Sequence, residues 1–210
     1  MFLLGHLRLF CHTQLLSSLP KDKGHDMTER QEAPGSSRSV SPTPDGLTDE
    51  SRNVLATWAA SFRAPAEATE LPAHHELCLG CGPENPHGHH LVAWREADGV
   101  VAEHTFDTRH VGAPGIAHGG AVATVMDDLF GFLLYVVGTL AVTRTLQVGY
   151  RAPVLLGQRY ALRADLLRRE GRRLYMEATM RHGHTIVAEA SAVFVAVEHT
   201  HFTGSVGGNP

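Results

Sequence analysis

Asp127 follows His118 by nine positions and Gly120 by seven, inside a stretch, GGAVATVMDDLFGFLLYVV from Gly119 to Val137, that is apolar on nearly every side. A helix of that kind belongs in a core or a membrane. Two adjacent carboxylates, Asp127 and Asp128, argue against the bilayer, where each costs roughly 2.5–3.5 kcal/mol even on a lenient insertion scale. A soluble core also rejects unpaired carboxylates, so at least one must face a cleft. A desolvated acid there suits either a general base that activates water or a nucleophile. Gly119 and Gly120 open the helix, where backbone N–H groups lack intrahelical partners and the dipole is positive, so a developing oxyanion could be held at Gly120. Gly120 and Asp127 share one stripe two turns apart, about 10 Å, too far for one small reacting group to touch both. A two-fold dimer with antiparallel helices would bring Asp127 of one subunit towards Gly120 of the other. Asp128, about 100° round the helix, is expected to be structural or at the edge of the site.

Fifteen histidines and the CxxC of Cys78 and Cys81 raise the question of zinc. In CLGCGPENPHGHH, Cys81 to His87 leaves five intervening residues, and no second CxxC follows. The standard spacing and a four-ligand set are absent. No metal is expected, and CGPENP is read as a tight turn that seats the N-terminal segment. The net charge of −4 comes with no basic stripe, which excludes a nucleic-acid partner. Three cysteines cannot all pair within one chain, a usage that suits the reducing cytoplasm.

The elements that must position these groups follow from periodicity. Residues 1–47 contain SRSVSPTPDG, which cannot bury enough apolar surface to fold, and are expected to be a disordered extension. The leader MFLLGHLRLFCHTQLLSSLP lacks the tripartite signal-peptide pattern, and Met27 is an alternative start. Residues 48–72 are expected to form a helix over Thr48 to Phe62, with Val54, Leu55, Trp58 and Phe62 as its stripe, and a linker. Residues 73–202 form the main domain and 203–210 a tail. Strands are expected at His90 to Trp94 and Val100 to Phe106 around an Asp98-Gly99 turn, then at Ala141 to Tyr150, Gln158 to Leu167, Arg172 to Arg181 and Thr185 to Val197. Ala188, Ala190, Ala192 and Ala196 share a face of the last strand, which lets a sheet curl closely round a helix. The expected fold class is α+β, a curved antiparallel sheet wrapped around one long central helix.

That order is the order of the hotdog fold. GIAHGGAVATVMD resembles the active-site segment of hotdog acyl-CoA thioesterases of the phenylacetyl-CoA thioesterase type. CLGCGPENPHG resembles the branch with the mammalian thioesterase superfamily members. The likeness runs from Cys78 to Val197 and rests on HGG with aspartate nine after the histidine, a preceding CxxCG…NPxG, and TLQVGYRAPV after the helix. It implies hydrolysis of an acyl-CoA to the acid and coenzyme A, in a homodimer or a larger assembly of dimers, without cofactor or membrane insertion. It implies Asp127 as base or nucleophile, Gly120 at the oxyanion, His118 positioning the helix start, and Thr143 holding the water or the acid. Gly119, Arg151 and Arg172 are implied on the substrate side, the arginines near the coenzyme A phosphates, as guanidinium geometry suits. The rivals are a hotdog enoyl-CoA hydratase or dehydratase, and a non-catalytic acyl-CoA-binding regulatory protein.

Overall fold

The computed structural model describes residues 48–198. The expected extension 1–47, the leader and the tail 203–210 lie outside the described residues. The first element is helix α1, Asp49–Ser61, whose N-cap Thr48 accepts the Ser51 N–H through its side-chain oxygen at 3.1 Å. The strands β1 (Ala93–Glu96) and β2 (Gly99–Thr105) form a hairpin, and a 3-10 turn, Thr108–His110, leads into the short pair β3 (Val111–Ala113) and β4 (Ile116–Ala117). Helix α2 spans Gly119–Val137, followed by β5 (Ala141–Tyr150), β6 (Arg159–Glu170), β7 (Arg173–His182) and β8 (Thr185–Ala196).

Six strands make one antiparallel sheet in the order β1-β2-β6-β7-β8-β5. The segment from β2 to β5, α2 included, therefore carries the chain from one half of the sheet to its opposite edge. Alternation puts Val100 and Ala102 of β2, Leu174, Met176, Ala178 and Met180 of β7, and Ala188, Ala190, Ala192 and Phe194 of β8 in the core. That inner face receives α2, which packs against β2, β6, β5 and β7. Val122, Val125, Met126, Leu129, Phe130 and Leu133 are fully buried there. By length and composition α2 could cross a membrane, with a mean hydropathy of 1.6; here it is the core helix of the sheet. Register shifts in the β5–β8, β6–β7 and β7–β8 pairings mark bulges, which bend strands and increase twist. Gly138 ends α2 in the left-handed conformation (φ 64°), its N–H reaching the Leu134 and Tyr135 carbonyls.

Several boundaries differ from the sequence expectation. β1 begins at Ala93 rather than His90, because His90 has φ 52° and the flanking His89 and Leu91 N–H groups donate to the Leu79 and Gly80 carbonyls instead of to a strand. The hairpin turns at Ala97-Asp98, since Gly99 already pairs with Glu96. β6 runs on to Glu170 through a bulge between Leu166 and Arg168. Val54, placed on the buried stripe of α1, is 52% exposed, whereas Phe62 is buried and stacks on Tyr135 at 4.6 Å. Ala196 shares the face of Ala188, Ala190 and Ala192 but is only half-buried at the end of the strand, and Phe194 on the same face is buried. The stretch expected as a linker adds to the sheet edge: Ala68 and Leu71 N–H groups donate to the Arg95 and Ala93 carbonyls.

Candidate active site

Asp127 lies past the first two turns of α2, half-buried, on the side that faces β5. The Thr143 hydroxyl donates to Asp127 Oδ1 at 3.1 Å. Burial raises the Asp127 pKa, and the bond from Thr143 opposes that rise. Thr143 itself is exposed, because β5 is an edge strand bulged between Thr143 and Thr145. The acid therefore opens onto a sheet edge that no described strand covers, where Thr143, Arg144, Thr145 and Gln147 are all exposed.

The start of α2 is more tightly tied than the sequence suggests. His118 is the N-cap, and the Gly120 N–H donates to His118 Nδ1 at 2.9 Å. The Gly120 donor expected to be free for an oxyanion is thus engaged: the imidazole reaches it because nothing but hydrogen stands on the Gly120 Cα, where a Cβ would meet His118 Nδ1 at 3.0 Å. With Nδ1 accepting, the neutral ring carries its proton on Nε2. The His118 N–H donates to the His110 carbonyl at 2.7 Å and Ala117 to Val154 at 2.8 Å, so the loop is pinned from two sides. The Tyr150 hydroxyl donates to the Gly119 carbonyl at 2.7 Å.

The two arginines do not meet. Arg151 pairs with Glu189 and borders a cleft of about 470 Å³ with Gly119, Tyr150 and Pro153, beside the helix start. Arg172 donates through Nε to the Ala196 carbonyl at 2.9 Å and lines a separate cleft with Gly138, at the other end of α2. Within one chain, only Gly119 and Arg151 of the substrate-side residues share a cleft. Gly120 and Asp127 stay two turns apart.

Residues 114–189 match the family model described as Thioesterase superfamily. Over that stretch the chain is similar to the thioesterase superfamily. Acyl-coenzyme A thioesterase THEM4 of Mus musculus is 33% identical over 89 residues, 41% of this chain and 38% of that protein. Acyl-coenzyme A thioesterase THEM5 of Mus musculus is 32% identical over 89 residues, 41% of this chain and 36% of that protein. The matched stretch thus spans well under half of these curated relatives. A solved thioesterase superfamily protein superposes with a TM-score of 0.54 at 24% identity, over 70% of this chain and 75% of that one. The fold is the hotdog.

Tyr150 escaped sequence reasoning, and Asp128, expected to be structural or at the edge of the site, has partners that the sequence did not point to. Tyr150 was visible only as a strand residue before Arg151, and its bond to Gly119 spans 31 positions. Asp128 turns from Asp127 into a cluster with His74 and Cys78, partners 54 and 50 positions away.

Proposed function

We propose that the chain hydrolyses acyl-CoA thioesters to the free acid and coenzyme A, as its similarity to the acyl-coenzyme A thioesterases THEM4 and THEM5 suggests. The observation that carries the reading is the half-buried Asp127 carboxylate, held through Oδ1 by Thr143 on an exposed edge. Fixing one oxygen leaves Oδ2 to take a proton from water as general base while that water attacks the thioester carbon. Burial, by raising the acid's pKa, makes it a better proton acceptor. The developing oxyanion is favoured at the positive end of α2, where the Gly120 N–H exchanges its His118 acceptor for the substrate oxygen. Coenzyme A follows the cleft of Tyr150 and Arg151, the guanidinium facing phosphate.

The acting unit is a homodimer. About 10 Å separates Gly120 from Asp127 along one helix, so the two functions combine when a second copy covers β5 and supplies the missing partner. An open ten-residue edge strand is also what a second copy would cover.

A panel of acyl-CoAs from acetyl to aromatic and long-chain, with released thiol measured, tests the assignment. Turnover that disappears in Asp127→Asn supports it. Hydration of an enoyl-CoA without thiol release, or tight acyl-CoA binding without turnover, would replace it with the hydratase or the regulatory reading.

A further inference from the structure

Away from the Asp127 face, four side chains from two distant parts of the chain converge. His74 Nδ1 lies 3.1 Å from Cys81 Sγ and 3.1 Å from Asp128 Oδ1. Cys78 Sγ lies 3.3 Å from the same Asp128 oxygen. The four candidate ligand atoms are all within 4.8 Å of one another. A tetrahedral zinc with ordinary Zn–S, Zn–N and Zn–O bonds sets its ligands about 3.4–3.8 Å apart along the edges. The three hydrogen-bonded separations fall a few tenths of an ångström short of those edges, and the 4.8 Å limit on the rest brackets them from above, so small shifts would seat an ion.

The surroundings are shaped for these four groups. A Cβ on Gly80 would lie 2.1 Å from Asp128 Cγ, and one on Gly131 would lie 2.7 Å from His74 Cε1. Only hydrogen at both positions admits the carboxylate and the imidazole together. The site is largely enclosed: Cys81 is 4% exposed, the side chains of His74 and Asp128 are 12% and 9% exposed, and Cys78 is half-buried where it borders a surface cleft. Asp128 Oδ2 is buried without a hydrogen-bond partner among the described residues, and an acceptor orphaned in that way destabilises the fold unless something binds it.

We propose that His74, Cys78, Cys81 and Asp128 bind a structural zinc ion that clips the segment around the CxxC onto α2. Two sulfurs, one imidazole nitrogen and one carboxylate oxygen form a donor set for zinc; hard cations such as calcium and magnesium avoid thiolate. On binding, Cys78 and Cys81 enter as thiolates and His74 as a neutral imidazole with Nδ1 bare, their protons leaving to solvent, and Zn²⁺ offsets two of the three ligand negative charges. Four protein ligands leave no open position for substrate, so the ion stabilises rather than reacts. The expectation of no metal rested on downstream histidines; the ligands come from His74, four positions before Cys78, and from the central helix.

The full chain, purified under argon with reductant and without chelator after growth in zinc-supplemented medium, is analysed by elemental mass spectrometry. About one zinc per chain is expected from a closed four-ligand site. Replacing zinc with Co²⁺ should produce the sulfur-to-cobalt charge-transfer band and intense visible bands of tetrahedral thiolate coordination. Cys81→Ser and Asp128→Ala should lose both the metal and those bands, while Asp127→Asn, one step round the helix, should keep them. Should the ligand variants fail to fold, the wild-type cobalt spectrum decides alone, since it needs no substitution. A folded wild-type chain that carries no zinc and develops no cobalt bands overturns the proposal, as does a Cys78–Cys81 disulfide found by peptide mapping of that preparation.

Discussion

The Thr143 hydroxyl and the Asp127 carboxylate meet at 3.1 Å across the boundary between the central helix and the edge strand β5. That bond fixes one carboxylate oxygen and leaves the other as the proton acceptor. Asp127→Asn keeps size and polarity yet cannot take a proton, so turnover should fall by about 10²–10⁴. KM should move little, because the lost interaction belongs to the transition state. Thr143→Val removes one hydrogen bond, worth about 1.5 kcal/mol or tenfold in rate. Steady-state kinetics on both variants, each checked for folding by circular dichroism, decides; near-full turnover of Asp127→Asn would move the base elsewhere.

Complementation tests the shared site. Gly120→Pro removes the N–H that His118 now accepts, at a first-turn position where proline is tolerated. Mixed with Asp127→Asn chains after co-refolding, it should regain part of the wild-type activity through hybrid dimers that hold one intact site. Two folded but inactive variants that never complement would place the whole site within one subunit.

Gly80 should be a stability position. A Cβ there would press on Asp128 Cγ and Cβ at 2.1 and 2.4 Å, close to the helix backbone, so it cannot be relieved by a simple rotation of a long side chain. Gly80→Ala should cost about 1–3 kcal/mol, the usual scale of overpacking. A thermal or urea unfolding series measures this, and an unchanged midpoint would show that the segment yields freely.

Acid should loosen the sheet end through three buried histidines. His89 and His110 stack at 4.0 Å, and His104 meets the Phe106 ring edge-on at 4.6 Å. Burial holds the His89 pKa at about 4 and the His104 pKa at about 3, and lowers that of His110. Arg109, His90 and the neighbouring imidazoles add to the depression, and Asp107 opposes it. Below about pH 6.5 the unfolded chain binds protons that the folded chain refuses, so each histidine can withdraw about 1.4 kcal/mol per pH unit until its folded pKa is reached. Stability is therefore full above pH 6.5 and falls towards pH 4. His104→Phe should flatten the slope of melting temperature against pH; an unaltered slope would show that these rings do not control it.

How much was legible in the sequence depended on the distance over which each contact forms. The limits of helix α2 and strand β5 are legible, because a continuous apolar run opened by Gly119-Gly120 and the strand-forming run that follows it are local signals. The start of β1 was misplaced, because what diverts His89 and Leu91 is a pair of carbonyls ten and eleven positions earlier. Thr143, Gly120 and His118 were picked out by likeness to a motif, but the cap that occupies the Gly120 N–H is a matter of side-chain direction. The Asp128 cluster was invisible, since nothing near Asp128 in the chain announces His74 or the cysteines.

The two caps of α2 also set its helical phase. His118 fixes the first turn and Gly138 the last, so the residue count from the cap decides which of the two adjacent acids, about 100° apart, faces Thr143. A single inserted residue before Asp127 would rotate Asp127 away from Thr143, and a single deletion would swing Asp128 towards it. Substitution along this helix is a question of volume and polarity; a change of length would exchange the destinations of the two carboxylates.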